Sequence, residues 1–355
     1  MIPIMKVLMI STDRGMFDVK RSVRDRMVEY GTLVDELHIV VFARASHKLE
    51  PEKISKNTWI YPTNSKTSWL YVGDAVREGK KILKKQLSIS GKSLAELREA
   101  YEHPEKTKVV PWLITVQDPF ETGLVGTRLA KATNVPLQIQ VHTDFLSEPF
   151  FERSVLNQLR LQMSRRTLPK ADCIRVASDR IRESMLAPES KLKLKSDPVI
   201  LPIFVDPEEF GEASRGSTNR TDLQTGNIRH YPQFTFLILM VTRVAPEKNI
   251  DLAIKALKQV TAIHPKTGLV IVGGGPEERR LRQVAAELEL GGNVIFEPWT
   301  DTIHEYYKEA DMMLLTSDYE GYSMVLIEAA AAGCPIVTTE VGIADTLIED
   351  GKSGF

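Results

Sequence analysis

Apolar, β-branched runs recur along the chain with amphipathic or Ala-rich stretches between them. That alternation of buried strand and covering helix builds parallel sheets with crossover connections. Lys6–Ser11, Leu37–Phe42, Val110–Val116, Leu137–His142, Cys173–Ala177 and Val199–Ile203 read as strands of a first sheet. From Phe204 to Pro232 the chain turns polar, with Gly211, Ser214, Gly216, Ser217 and Gly226, as expected of a linker. Phe234–Val241, Leu269–Val272, Asn293–Phe296, Met312–Leu315 and Pro335–Thr338 read as a second sheet. At 355 residues the chain exceeds what one core normally serves. The expected organisation is α/β: a Rossmann-like domain over 1–203, a linker over 204–232 and a second Rossmann-like domain over 233–355.

Composition narrows the class. Hydrophobic residues make up 43% and charged residues 26%, the balance of a soluble globular protein. Cys173 and Cys334 stand apart in apolar contexts, as reduced residues of a cytoplasmic protein, and neither has metal-ligand spacing, so no metal site is expected. Met1–Ser11 is too short for a signal peptide before the first strand, and no apolar run is long enough to span a bilayer. His38, His47, His103, His230, His264 and His304 are scattered and read as surface or core residues.

Charge is uneven. Residues 1–200 hold 33 lysines and arginines against 24 acids, and residues 201–355 hold 13 against 23, so the halves carry +9 and −10. One basic cluster is Lys80, Lys81, Lys84 and Lys85 beside Trp69, Leu70, Tyr71, Ile82 and Leu83; another is Arg153, Arg160, Arg165 and Arg166 beside Phe150, Phe151, Leu156 and Leu159. Each is either a solvated helix face or an amphipathic segment that lies on an anionic membrane, which would put the protein peripherally on the inner face. The near-neutral total and the lack of a binding motif argue against nucleic acid.

Candidate chemistry concentrates in the second half. Glu320 precedes Gly321 in a predicted loop, and Glu328 lies on the helical run Ser323–Ala332 that Gly333 and Pro335 end. A loop carboxylate can accept from sugar hydroxyls while one further along grips a ribose diol. A capped core helix carrying two solvated glutamates is the plain alternative. Upstream, the strand ending at Val241 leads into Arg243 and Lys248, at the rim where open parallel sheets bind ligands. A planar guanidinium and a point charge can hold a diphosphate, although both could be surface residues flanking a helix. A glycosidase reading of the two glutamates leaves these cations unexplained. Gly273-Gly274-Gly275 is neither a P-loop nor a full dinucleotide fingerprint, and reads as a close strand-to-helix turn near the ligand.

Together these residues resemble glycosyltransferase family 4, of the GT-B fold: its E-x7-E signature matches Glu320 to Glu328, and its R-x4-K pair matches Arg243 and Lys248. The likeness extends through Val270–Pro276, Asn293–Phe296, Ala310–Ser317 and Ala332–Val337. It implies two Rossmann-like domains facing across a cleft, and metal-independent, retaining transfer from a UDP- or GDP-sugar to a lipid-linked or glycan acceptor, with no cofactor. Gly274, Gly321, Tyr322 and Ser323 would join the donor site. By the same resemblance His142 would lie near the anomeric carbon and donate to a sugar hydroxyl or the transition state. Asp118 and Asp144 are acceptor-side candidates. The chain departs from the family pattern at Ser11–Gly15, where a Gly-rich turn is usual, at Leu201–Asp206, and at Thr242 and Asn249, where Gly is usual. It also stops at Phe355, before the closing helices of relatives, and reads as truncated. A sugar-nucleotide epimerase or an inactive nucleotide-binding fragment are the alternatives.

Overall fold

A computed structural model describes residues 5–19, 21–90, 111–152, 154–203 and 231–355. Two compact units divide the chain, Met1–Ala177 with Ile181–Leu201, and Ser178–Arg180 with Pro202–Phe355. Most of the linker expected over 204–232 lies outside the described residues, as do His103, His230 and Arg153.

The first unit is built on eight strands: β1 (Lys6–Ser11), β2 (Glu36–Val41), β3 (Glu52–Ser55), β4 (Thr58–Pro62), β5 (Trp112–Val116), β6 (Leu137–Val141), β7 (Cys173–Val176) and β8 (Val199–Ile200). Their order is β3-β4-β2-β1-β5-β6-β7-β8, parallel except for β3 against β4. Strand β1 is central, with Lys6 opposite Glu36 on one side and Trp112 on the other. Helices cover both faces, which is why β1 is a continuous apolar run, with Leu8 and Ile10 fully buried. Strands β3 and β4 were not expected from the sequence. Glu52 and Lys53 are exposed on the edge strand, and β4 buries only alternate residues, Thr58, Ile60 and Pro62, so neither shows an apolar run.

The second unit holds β9 (Phe236–Val241), β10 (Thr267–Val272), β11 (Val294–Glu297), β12 (Met312–Leu315) and β13 (Ile336–Thr338), all parallel in the order β11-β10-β9-β12-β13. Period-two alternation divides each central strand between two cores. Leu237, Leu239, Val270 and Val272 pack on one face with Tyr307 and Leu326, while Ile238, Met240, Leu269 and Ile271 pack on the other with Ile254 and Leu257. The chain runs from β9 outward through β10 to β11, then returns to β12 on β9's other side. Strand order therefore reverses between β9 and β12, and the crevice beyond their carboxyl ends is the place such a sheet offers a ligand. In the first unit the same reversal falls between β1 and β5.

Close helix-to-sheet packing in the first unit depends on Gly126 in helix Glu121–Thr133, where a Cβ would come within 2.7 Å of both Leu137 Cδ1 and Val116 Cγ1. Overpacking of this kind costs about 1–3 kcal/mol, and we expect Gly126→Ala to lose stability in that range. Urea unfolding followed by circular dichroism checks it; an unchanged midpoint would contradict the close approach.

Candidate active site

Strand β9 ends at Val241, and the chain drops through Thr242 and Arg243 into a short 3-10 turn, Pro246–Lys248, before helix Ile250–Ile263. Strand β12 ends at Leu315 and leads through Ser317 and Glu320 to helix Met324–Ala331. These two loops are tied to each other across the reversal point. Lys248 Nζ donates to Glu320 Oε1 at 2.5 Å, and Ser317 Oγ donates to the same oxygen at 2.8 Å. Asn249 Nδ2 donates to Asp318 Oδ1 at 2.9 Å, Asp318 N to the Glu247 carbonyl at 2.9 Å, and Thr316 Oγ1 contacts the carbonyls of Lys248 and Asn249 at 3.0 and 3.1 Å. Lys248 and Glu320 are both 14% exposed, so their charges meet in a partly desolvated place. Arg243 differs: its side chain is 75% exposed and is held by Glu247 at 2.5 Å.

The local backbone explains one departure from the family pattern. Asn249 has φ +46°, a left-handed conformation that Gly adopts freely and Asn tolerates. Its side chain then supplies the bond to Asp318. In the glycine turn, a Cβ on Gly273 would lie 2.1 Å from the Thr242 carbonyl oxygen, and one on Gly275 would lie 2.2 Å from that of Val244. Gly274 is different, because a Cβ there meets nothing within 4 Å. Its small size is not required by the protein's own packing.

Ser323 is the strained residue of the site. It is buried, has φ +70° and ψ +73°, and its Oγ has no hydrogen-bond partner although it precedes the helix. Strain of this kind at a non-Gly residue persists where a site needs it. Gly342 lies against it, since a Cβ there would come 2.7 Å from the Tyr322 carbonyl. Gly321 is buried and its carbonyl accepts from Ser178 Oγ, a residue of this same unit, at 2.9 Å. Burial raises the phenol pKa of neighbouring Tyr322.

Glu328 stands on the helix as the sequence predicts. Tyr307 Oη donates to its Oε2 at 2.9 Å, a partner that sequence reasoning missed. Tyr307 is fully buried, and burial together with the Glu328 carboxylate raises its pKa well above the ordinary value, so it stays a donor. Its only sequence signal is the aromatic pair Tyr306-Tyr307 inside the short helix Ile303–Glu309, which reads as core.

His142 lies in the first unit, just past the end of β6. A polar chain crosses the sheet to reach it: Thr115 Oγ1 donates to Gln138 Oε1 at 2.9 Å, Gln140 Nε2 to Thr115 Oγ1 at 3.1 Å, and Arg175 Nη1 to Gln140 Oε1 at 3.1 Å. His142 Nε2 meets that same Gln140 oxygen at 3.0 Å. An amide oxygen only accepts, so Nε2 carries the proton and the neutral ring keeps Nδ1 as an acceptor. With Nε2 bonded to Gln140, the ring offers an acceptor at Nδ1 where a donor was expected. Burial, with Arg175 nearby, lowers the His142 pKa to about 4. Asp118, expected on the acceptor side, instead accepts from Phe120 N at 2.7 Å and Thr122 N at 3.3 Å at the start of helix Glu121–Thr133, and burial raises its pKa to about 6. Asp144 is buried in the loop after His142.

The basic clusters divide on folding. Ile82 and Leu83 are buried on the inner face of helix Tyr71–Ser90, as the solvated-face reading has it, and Lys81 pairs with Glu78 at 2.9 Å; Trp69 stays 90% exposed. In helix Val155–Thr167 the apolar residues Val155, Leu156 and Leu159 remain exposed beside Arg166, while Arg160 pairs with Glu121 at 3.2 Å. No helix among the described residues is long and apolar enough to cross a membrane.

The fold is that of the GT-B glycosyltransferases. Anabaena HepE in complex with UDP and glucose matches with a TM-score of 0.66 at 19% identity, over 99% of this chain and 85% of that one. Sucrose-phosphate synthase from Thermosynechococcus elongatus matches with a TM-score of 0.70 at 19% identity, over 99% and 85%. Residues 231–355, which hold every second-unit site residue named above except Ser178, match the model of the family Glycosyl transferases group 1. D-inositol 3-phosphate glycosyltransferase of Acidothermus cellulolyticus is 34% identical over 130 residues, 34% of this chain and 29% of that protein. Alpha-monoglucosyldiacylglycerol synthase of Acholeplasma laidlawii is 22% identical over 254 residues, 68% of this chain and 62% of that protein. The matched length is thus less than two thirds of these curated relatives.

A depressed His142 pKa links stability to pH. The unfolded ring titrates near 6.5 and the folded one near 4, so its contribution is complete above about pH 6.5 and is lost as the pH falls toward 4. We expect His142→Gln to lose less stability than the parent chain between pH 7 and pH 5. Urea midpoints at the two pH values measure this, and equal losses would remove His142 from the acid response.

Proposed function

We propose that the chain is a metal-independent, retaining glycosyltransferase that moves a sugar from a nucleoside-diphosphate sugar to an acceptor hydroxyl. The observation that carries this is the Lys248–Glu320 pair across the β9/β12 reversal, inside the segment that matches the group 1 family. The bond from the anomeric carbon to the diphosphate oxygen breaks, and its electron pair leaves with the diphosphate. The acceptor oxygen bonds the same carbon on the same face, and its proton passes to the departing phosphate oxygen. Retention is supported by the family resemblance.

Lys248 and Arg243 would stabilise the growing charge on the diphosphate, the term that preorganised electrostatics serves best. Glu320, itself bonded by Ser317, holds Lys248 in place, so little would be spent on ordering a long side chain when the phosphate arrives. Glu320 uses Oε1 for both bonds, which leaves Oε2 for a sugar hydroxyl. Tyr307 would orient Glu328 toward the ribose diol. Gly274 and the helix behind Ser323 would approach the donor through backbone groups, and His142 Nδ1 would accept from a sugar hydroxyl. Several relatives are named for glycolipid synthesis, among them the Acholeplasma laidlawii enzyme. With the exposed Val155, Leu156 and Leu159, these names support a lipid-linked acceptor presented at an anionic membrane.

The test is release of UDP or GDP from a panel of nucleotide sugars, with and without diacylglycerol in phosphatidylglycerol vesicles, in the presence of EDTA. Transfer is expected to survive chelation. Glu320→Ala and Arg243→Ala should each lower turnover about a hundredfold, the scale of losing one preorganised contact. Near-normal rates in both variants, or activity lost on chelation and restored by magnesium, would overturn the assignment.

A further inference from the structure

One cavity is lined wholly by residues of the first unit, none of them named in the candidate active site. It has a volume of about 790 Å³ and lies in the first unit, lined by Arg128, Lys131, Lys170, Lys195 and Asp172 over a floor that includes Val135 and Pro136. Its place in the fold is set by what precedes the strands. Val135 and Pro136 lead into β6, and Lys170 and Asp172 lead into β7, so the cavity opens at the amino ends of these strands. His142 is at the carboxyl end of β6. Five residues at roughly 3.3 Å each put about 16 Å between them.

The charges in this cavity do not cancel. Asp172 is already satisfied, since Leu137 N donates to Oδ2 at 3.0 Å and Lys195 Nζ to Oδ1 at 2.7 Å. Lys195 also donates to the Lys170 carbonyl at 3.1 Å, which fixes its ammonium at the cavity wall. Arg128, Lys131 and Lys170 have no acidic partner among the described residues, which leaves three uncompensated cations around one concavity. Arg128 and Lys131 stand one helical turn apart, so both reach the same side. They also exceed the partial negative charge at the end of helix Glu121–Thr133, where Asn134 N already caps the Ala130 carbonyl at 2.8 Å. A surface that held these cations only for solubility would disperse them or pair them with acids.

We propose that this cavity binds a multiply charged phosphate group, either on a soluble phosphorylated compound or on an anionic lipid headgroup. Arg128 supplies a planar fork for two phosphate oxygens, and Lys131 and Lys170 supply point charges from the other sides. It shares no residue with the donor diphosphate site proposed on Arg243 and Lys248 of the second unit.

Inorganic pyrophosphate is the probe, titrated calorimetrically into a chain carrying Arg243→Ala and Lys248→Ala so that the donor site is disabled. Binding should persist in that background. It should weaken at least about tenfold on adding Lys131→Glu and Lys170→Glu, the scale of losing one or two charge-assisted contacts. It should return with Lys131→Arg and Lys170→Arg. Both lysines are exposed, so the melting temperature should be unchanged and a lost signal reports binding. The source is separated by co-sedimentation: capture on vesicles containing phosphatidic acid, a phosphomonoester, but not on phosphatidylcholine vesicles, abolished by the two glutamates, identifies a lipid headgroup, and pyrophosphate binding without capture identifies a soluble ligand. No binding in the disabled-donor background, or equal binding with and without the glutamates, overturns the proposal.

Discussion

The lacing between the loops after β9 and β12 is the interaction on which the candidate site depends. A doubly wound sheet opens a crevice where strand order reverses, but the crevice is only a gap between two loops that leave in different directions. Here Lys248 to Glu320, Asn249 to Asp318, Asp318 N to Glu247 O and Thr316 to the 248 and 249 carbonyls hold those loops in one arrangement. One residue of the lacing carries the charge expected to meet phosphate, and another carries the carboxylate expected to meet sugar. The interaction that orders these loops is therefore the one a ligand would reuse.

The glycine turn and the core beneath it serve the same end. Alternating residues of β9 and β10 fill two separate cores, so neither strand can slip by one residue without exposing a full face. Against that fixed frame, Gly273 and Gly275 let the turn after β10 come close to the backbone after β9, where any side chain would collide. Ser323 shows the cost, a strained, buried residue whose hydroxyl stays unpartnered at the head of the helix that carries Glu328.

The first unit spends its polar groups differently at the two ends of β6. Toward the carboxyl end, Gln138, Thr115, Gln140 and Arg175 form a chain that sets the tautomer of His142, and burial keeps that ring neutral. Toward the amino end, cations crowd a cavity with one acid among them. Part of the +9 charge of the amino-terminal half is thus gathered at one place in the fold.

Most strands and the α/β class were legible in the sequence, as was the placement of Arg243 and Lys248 after β9, Glu320 after β12 and Glu328 on the next helix, because buried parallel strands are written as apolar runs whose ends can be read. Strands β3 and β4 were not legible, since an edge hairpin buries only alternate side chains and leaves no run. Nor was Tyr307, because its role is fixed by a helix turning its hydroxyl onto Glu328, twenty-one positions away in sequence. Asp118, an acceptor-side candidate in the sequence, accepts from the backbone at the start of helix Glu121–Thr133, and Ile82 and Leu83, whose cluster left two readings open, lie in the core. Local sequence determines which residues want burial and which carry charge. Which partner each one meets is decided by tertiary packing, because hydrogen bonds and desolvation act over a few ångströms between residues that the chain alone keeps far apart.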